Sequence, residues 1–82
     1  MSPVTSHSIA TLQGIFRAVF NLDDTMDVTR VSQTSEKRWD SLAHVTLVAA
    51  IESEFNLKLD LSEALRLTSY EAATLLLEEK GM

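Results

Sequence analysis

Few side chains in this chain can do chemistry, and those few gather at one point. Asp40-Ser41 stands directly ahead of an apolar-patterned segment, Leu42 to Phe55, with His44 inside its first turn. Asp40 is suited to N-cap a helix beginning at Ser41, which places a hydroxyl at the helix start. Such a position offers unpaired backbone N–H groups and a partial positive charge, and so accepts a phosphate. There are no cysteines, which removes disulfides, thiolate metal sites and cysteine nucleophiles.

Ser41 makes a poor catalytic nucleophile, because a serine enzyme needs a base, an orienting group and an oxyanion site. No Gly-x-Ser-x-Gly elbow surrounds it, and the chain holds only two histidines. His44 falls on the core-facing side of the helix. With Asp40 as N-cap, Trp39 and His44 occupy the two positions of a hydrophobic staple, so the ring is expected to pack on Trp39. A lone histidine has no partner cluster for metal binding or proton transfer. His7 carries no signal. The expectation is a protein that is not an enzyme and holds no metal.

The elements that must position Ser41 follow from apolar spacing. Ile9, Leu12, Ile15, Phe16, Val19 and Phe20 predict a first helix over residues 6–20, with Thr5, Ser6 and Ser8 all eligible as its N-cap. Asn21 suits a left-handed terminator, with Leu22 folding back. A long polar connection, 23–39, is expected to be pinned by Val28 and Val31, with one helical turn near 35–38; loops of this length are often functional. The second helix runs from Ser41 to Glu54 or Phe55 and stops at Asn56, and 57–59 reads as extended. Asp60 with Glu63 has the form of a capping box opening a short helix to about Arg66. Thr68 with Glu71 repeats it for a last helix ending near Lys80 and Gly81. The fold class expected is all-α: a small four-helix bundle with three main helices, one short one, and a long loop between the first and second.

Eighty-two residues read as one domain, 1–82, with residues 1–5 as a disordered extension. Met1 to Ser8 lacks the basic and apolar regions of a secretory signal, and no apolar run is long enough to cross a bilayer, so a soluble cytoplasmic monomer is expected. The net charge is −5, with five acids and four bases up to residue 40 and seven acids and three bases after it. That balance disfavours nucleic acid and anionic membrane as partners.

On a helical wheel, Leu47, Val48, Ile51 and Phe55 share one side of the second helix, and Leu42, Val45 and Ala49 extend the apolar arc beyond what one core contact needs. Ala43, Thr46, Ala50, Ser53 and Glu54 fill the remainder. The surplus flank either lies under the loop or short helix, or is an exposed strip on which another protein docks.

Asp40-Ser41-Leu42, Val45, Leu47-Val48-x-Ala50-Ile51-Glu52-x-Glu54-Phe55, Leu59 and Leu67-Thr68 together resemble the acyl carrier proteins, over a span from Ile9 to the end. The resemblance implies that Ser41, flanked by Asp40 and Leu42, is the attachment point of 4′-phosphopantetheine from coenzyme A. That arm would carry an acyl group as a thioester between enzymes. The implied partners are a phosphopantetheinyl transferase, an acyl-loading ligase or transferase, and acceptor enzymes, meeting the face of Leu42, Val45, Ala49 and Glu52. Some family members fold the acyl chain into the bundle; the corresponding cleft would be lined by Val48, Ile51, Leu59, Ala64, Leu67, Ala73 and Leu76. The alternative for those residues is a closed core.

Two departures from the family pattern stand out. Lys37-Arg38-Trp39 replaces the glycine usual shortly before the serine in fatty-acid-synthesis carriers, and Ala43, Thr46 and Ser53 stand where those carriers have acids. Weaker steering toward basic partner patches follows, which points to a stand-alone carrier in a specialised biosynthetic pathway. An aminoacyl or peptidyl carrier, and an unmodified helical interaction module, are the competing readings.

Overall fold

The computed structural model describes residues 6–81. Four helices follow in order: α1 (Ser6–Phe20), α2 (Ser41–Phe55), α3 (Leu61–Leu65) and α4 (Tyr70–Glu79). The expected all-α bundle is the observed fold. The extension expected at 1–5, and Thr5 as a cap, lie outside the described residues. Ser6 and Ser8 both fall within α1.

Apolar spacing in α1 places Leu12, Ile15, Phe16 and Phe20 on one buried stripe, at the three- and four-residue steps that bring side chains to one helix face. They meet Leu47 and Ile51 of α2, and Tyr70, Ala73, Leu76 and Leu77 of α4. Leu22, Val28, Val31, Trp39 and Leu67 complete the core from the connections. Each such large side chain contributes about 1.5–3 kcal/mol relative to exposure.

The face that α2 turns inward differs from the one the wheel suggests. Ala43 and Ala50, assigned above to the outer side, pack against the core beside Leu47 and Ile51. α1 and α2 are the most closely packed pair of elements. His44 and Val48 are thereby turned to the edge of the core that adjoins α3, not to its centre.

Helix ends obey local chemistry. Asn21 (φ 54°) and Asn56 (φ 52°) take the left-handed conformation. Beyond them the Leu22 N–H donates to the Arg17 carbonyl at 3.0 Å and the Leu57 N–H to the Glu52 carbonyl at 3.1 Å, the six-to-one closure of a Schellman end. The Asp60–Glu63 capping box forms in both directions. The Thr68–Glu71 box does not. Ser69 is the cap, accepting from the Ala72 N–H at 2.9 Å, because the backbone of Thr68 is engaged elsewhere.

That engagement explains how the long loop is held. Thr68 accepts from the Gln33 N–H and Val31 accepts from the Tyr70 N–H, both at 2.9 Å, forming an isolated antiparallel bridge between Ser32 and Ser69. Val28 and Val31 are buried as expected. The helical turn in the loop is at Val28–Arg30, a 3-10 turn capped by Asp27, and not at 35–38. Asp27 accepts from both the backbone N–H and the hydroxyl of Thr29, and this local closure starts a turn. Arg17 and Arg38 add anchors from either side. Arg17 donates to the Asp23 carbonyl at 2.8 Å, and Arg38 donates to the Phe20 and Asn21 carbonyls at 2.6 and 2.9 Å. A guanidinium on the last carbonyls of α1 also complements the negative end of the helix.

α3 is attached differently, since none of its residues is buried. Two ion pairs tie it to the end of α4, Lys80–Glu63 and Arg66–Glu79, each at 2.6 Å. The Lys80 hydrogen bond first, and the Asp60 N–H second, hold the Glu63 carboxyl below its usual 4.5. The Arg66 bond does the same for Glu79. Carboxyls lowered in the folded state stabilise it above the unfolded value, and that contribution is lost as pH falls through the lowered folded values. For exposed pairs the effect is modest.

Leu47→Ala should cost about 2–5 kcal/mol in urea-induced unfolding, against near neutrality for the exposed Thr46→Ala. In thermal unfolding from about pH 7 down to about pH 3, the wild type should lose stability below about 4.5, the region set by these lowered carboxyls. The pair Glu63→Gln and Glu79→Gln should flatten that fall; an unchanged acid limb would assign it to other carboxyls.

Candidate functional site

Three residues leading into α2 fix where the Ser41 hydroxyl stands. Trp39 is buried among aromatic rings, 4.7 Å between centroids from Phe20 and 5.9 Å from Phe16. Such pairs contribute about 0.5–1.5 kcal/mol beyond their burial. Asp40 then caps the helix, its carboxylate accepting from the Ala43 N–H at 2.8 Å. The His44 N–H donates to the Asp40 carbonyl as the first helical bond. Ser41 follows as the exposed first residue of α2. Geometry leaves the Ser41 and Leu42 N–H groups without helical acceptors.

Trp39 also reaches across this turn. Its indole N–H donates to His44 Nδ1 at 3.1 Å, and His44 Nε2 lies 2.9 Å from the Ala64 carbonyl oxygen of α3. An indole can only donate and a carbonyl can only accept, so the imidazole is neutral with its proton on Nε2. The staple expected between Trp39 and His44 is therefore a polar one: the rings are 6.2 Å apart and joined by a hydrogen bond. With both ring nitrogens occupied by Trp39 and Ala64, His44 is not hydrogen-bonded to Ser41. Among the described residues no cluster of three metal-ligating side chains occurs.

Behind Trp39, Glu36 is a buried carboxylate that accepts from the Arg38 N–H at 2.9 Å and pairs with the Arg38 guanidinium at 3.5 Å. Residues 36–39 thus form a turn closed by the Trp39 N–H on the Glu36 carbonyl at 3.1 Å, and Arg38 serves as a strut to α1. Nothing in the sequence pattern pointed to Glu36 or Arg38. The only trace is the Glu-x-Arg spacing in a polar loop.

Around Ser41 the surface is apolar. Leu42 is 76% exposed and Val45 64% exposed, and across from them on α3 Leu61 is 77% and Leu65 65% exposed; Ala49 is exposed as well. An open cleft of about 610 Å³ begins at Asp40 and Ser41 and is lined by Gln33, Trp39, His44, Val45 and Leu65. It leads to a groove of about 300 Å³ between α2 and α3, lined by Val45, Val48, Ala49, Leu61, Ala64 and Leu65, with His44 and Glu52 also on its walls. Glu52 is partly withdrawn from this surface, since its carboxylate accepts from the Leu59 N–H at 2.8 Å and holds the α2–α3 connection.

The interior cleft sketched from sequence is closed. Ile51, Leu67, Ala73 and Leu76 are 0–1% exposed and belong to the main core, while Val48 and Leu59 pack against it from outside. The concave apolar surface is the outer α2–α3 groove, which shares only Val48 and Ala64 with that sketch. The two leucines of α3 that line it were missed because α3 is too short for a periodic pattern to assign its faces.

No described helix is long and apolar enough to cross a membrane. No protein-family model matches the chain, and no curated protein sequence does. Among solved structures the chain is similar to the solution structure of the holo acyl carrier protein from Geobacter metallireducens. The TM-score is 0.73 and the identity 29%, over 88% of this chain and 83% of that one. The helical bundle described above is an acyl-carrier-protein-like fold.

Proposed function

We propose that this protein is a carrier whose Ser41 receives 4′-phosphopantetheine and which delivers acyl groups between enzymes. The observation that carries this reading is the placement of Ser41: exposed, first in α2, behind a formed Asp40 cap and beside the exposed Leu42, in a bundle similar to a holo acyl carrier protein. The residues present fit the group. The Ser41 hydroxyl is open to a modifying enzyme, and the Ser41 and Leu42 N–H groups at the positive helix end favour a phosphodiester there by about 0.3–1 kcal/mol. When attached, the arm supplies the terminal thiol that holds an acyl group as a thioester, which accounts for a carrier without a cysteine of its own.

The chain's own residues do the rest. Asp40 fixes the helix start, and Trp39 fastens that start to the core, so the arm's root holds one position relative to α2. Leu42, Val45 and Ala49 present the surface that an approaching transferase, loading enzyme or acceptor enzyme covers first. Leu61 and Leu65 continue that surface onto α3. From Ser41 to Ile51 the helix carries no acid, which supports a dedicated pathway with its own enzymes over exchange with partners that rely on basic patches.

Incubation with coenzyme A and a broad-range phosphopantetheinyl transferase, followed by intact-mass measurement, should show a gain of one phosphopantetheine. Ser41→Ala should show none while keeping its helical circular dichroism. A wild-type chain that gains nothing would leave an unmodified helical interaction module as the function. Replacing the exposed Leu42 by Ser should slow the modification several-fold without lowering thermal stability by more than about 0.5 kcal/mol.

A further inference from the structure

His44 sits between the two parts of the molecule that flank Ser41. On one side is Trp39, which seats the start of α2 in the core; on the other is α3, which has no buried residue of its own. The imidazole joins them through opposite ends: Nδ1 accepts from the Trp39 indole and Nε2 donates to the Ala64 carbonyl. We infer that His44 is a proton-operated coupling between the Ser41 end of α2 and α3, closed when the ring is neutral and opened on the Trp39 side when it is protonated.

The two bonds respond to a proton in opposite ways. A proton added at Nδ1 removes the lone pair that the Trp39 N–H uses and sets two N–H groups against each other. The Nε2–H bond to Ala64 becomes charge-assisted and tightens. Protonation therefore draws His44 toward α3 and frees the Trp39 indole, leaving its N–H to find water or remain unpaired at the edge of the core. Trp39 precedes the Asp40 cap by a single residue, so loosening its seat is felt first at Asp40 and Ser41.

No side-chain carboxylate hydrogen-bonds the imidazole among the described residues. The ionisable groups on the elements around His44 are Glu36, Lys37 and Arg38 in the loop segment before α2, Asp40 as the cap of α2, Glu52 and Glu54 at its far end, and Lys58, Asp60, Glu63 and Arg66 around α3. Glu36 is paired with Arg38, Asp40 caps the Ala43 N–H, Glu52 accepts from Leu59, Glu63 holds Lys80 and Arg66 holds Glu79. Among the described residues no carboxylate forms an ion pair with the imidazole. The coupling is independent of the carrier reading, since it needs only the three groups joined by the two hydrogen bonds.

The test is nuclear magnetic resonance of the 15N-labelled full chain, following the Trp39 indole N–H from about pH 8 to about pH 5, a range in which imidazole is the side chain that ordinarily changes charge. The indole resonance should shift with the same midpoint as the His44 ring, and its protection from solvent exchange, taken relative to free indole at the same pH, should fall several-fold at the acid end, while that of the backbone amides of α3 is unchanged. His44→Gln keeps an acceptor and a donor but takes up no proton in this range; its indole signal should stay still. His44→Phe should show the freed indole at every pH. An indole resonance in the wild type that does not follow His44, or one that still titrates in His44→Gln, would overturn the inference. Modification of Ser41 is not needed for either outcome.

Discussion

The seat of Trp39 is the constraint on which the rest of the site depends. Its ring lies against Phe16 and Phe20 of α1, and Phe16 in turn meets Tyr70 of α4 edge-on at 5.4 Å. One side chain thus fastens the start of α2 directly to α1 and, through Phe16, to α4. The next residue caps α2 and the one after it carries the hydroxyl. Few positions on a helix surface are fixed so directly by the core, and a helix start held this firmly presents its N–H groups in a constant direction.

Contrast this with α3. The main bundle of α1, α2 and α4 is held by apolar burial, whereas α3 hangs on hydrogen bonds and ion pairs: His44 to Ala64, Glu52 to Leu59, Glu63 to Lys80, Arg66 to Glu79. Apolar side chains that would normally secure such a helix, Leu61 and Leu65, face outward across the α2–α3 groove. The exposed leucines of this short helix leave an apolar patch beside the groove, and in the carrier reading proposed above that patch is part of the face that partners cover. Polar attachments at the surface are also the kind that a change of pH can exchange at small net cost, because water replaces the lost partner.

The electrostatic layout fits the same division. The formal charge of −5 is carried mainly on the loop, the end of α2 and α4, and several acids there are already bound to backbone or to a base. The serine-bearing stretch of α2 is uncharged between Asp40 and Glu52. In the proposed carrier reading, recognition at this face would draw on shape and apolar area more than on long-range attraction, giving specificity without much acceleration of encounter.

What could be read from residues alone was whatever local chemistry decides. The stripe from Leu12 to Phe20, the Asp40 and Asp60 caps, the left-handed Asn21 and Asn56, and the exposed helix-start serine all follow from spacing and side-chain type, because each involves neighbours within a turn or two. Three things depended on segments distant in the chain. The helical turn of the loop formed at Val28–Arg30, where Val28 is buried, whereas 36–39 is a non-helical turn in which Glu36 pairs with Arg38 and Arg38 braces α1. The α4 cap moved from Thr68 to Ser69, because the Thr68 carbonyl pairs with Gln33. The inward face of α2 takes in Ala43 and Ala50, which pack against the core beside Leu47 and Ile51. With that face inward, His44 lies at the seam with α3, where Trp39 and Ala64 complete it. A hydroxyl at a helix start is a property of the sequence; which groups hold it there, and which groove opens beside it, is decided only when the helices meet.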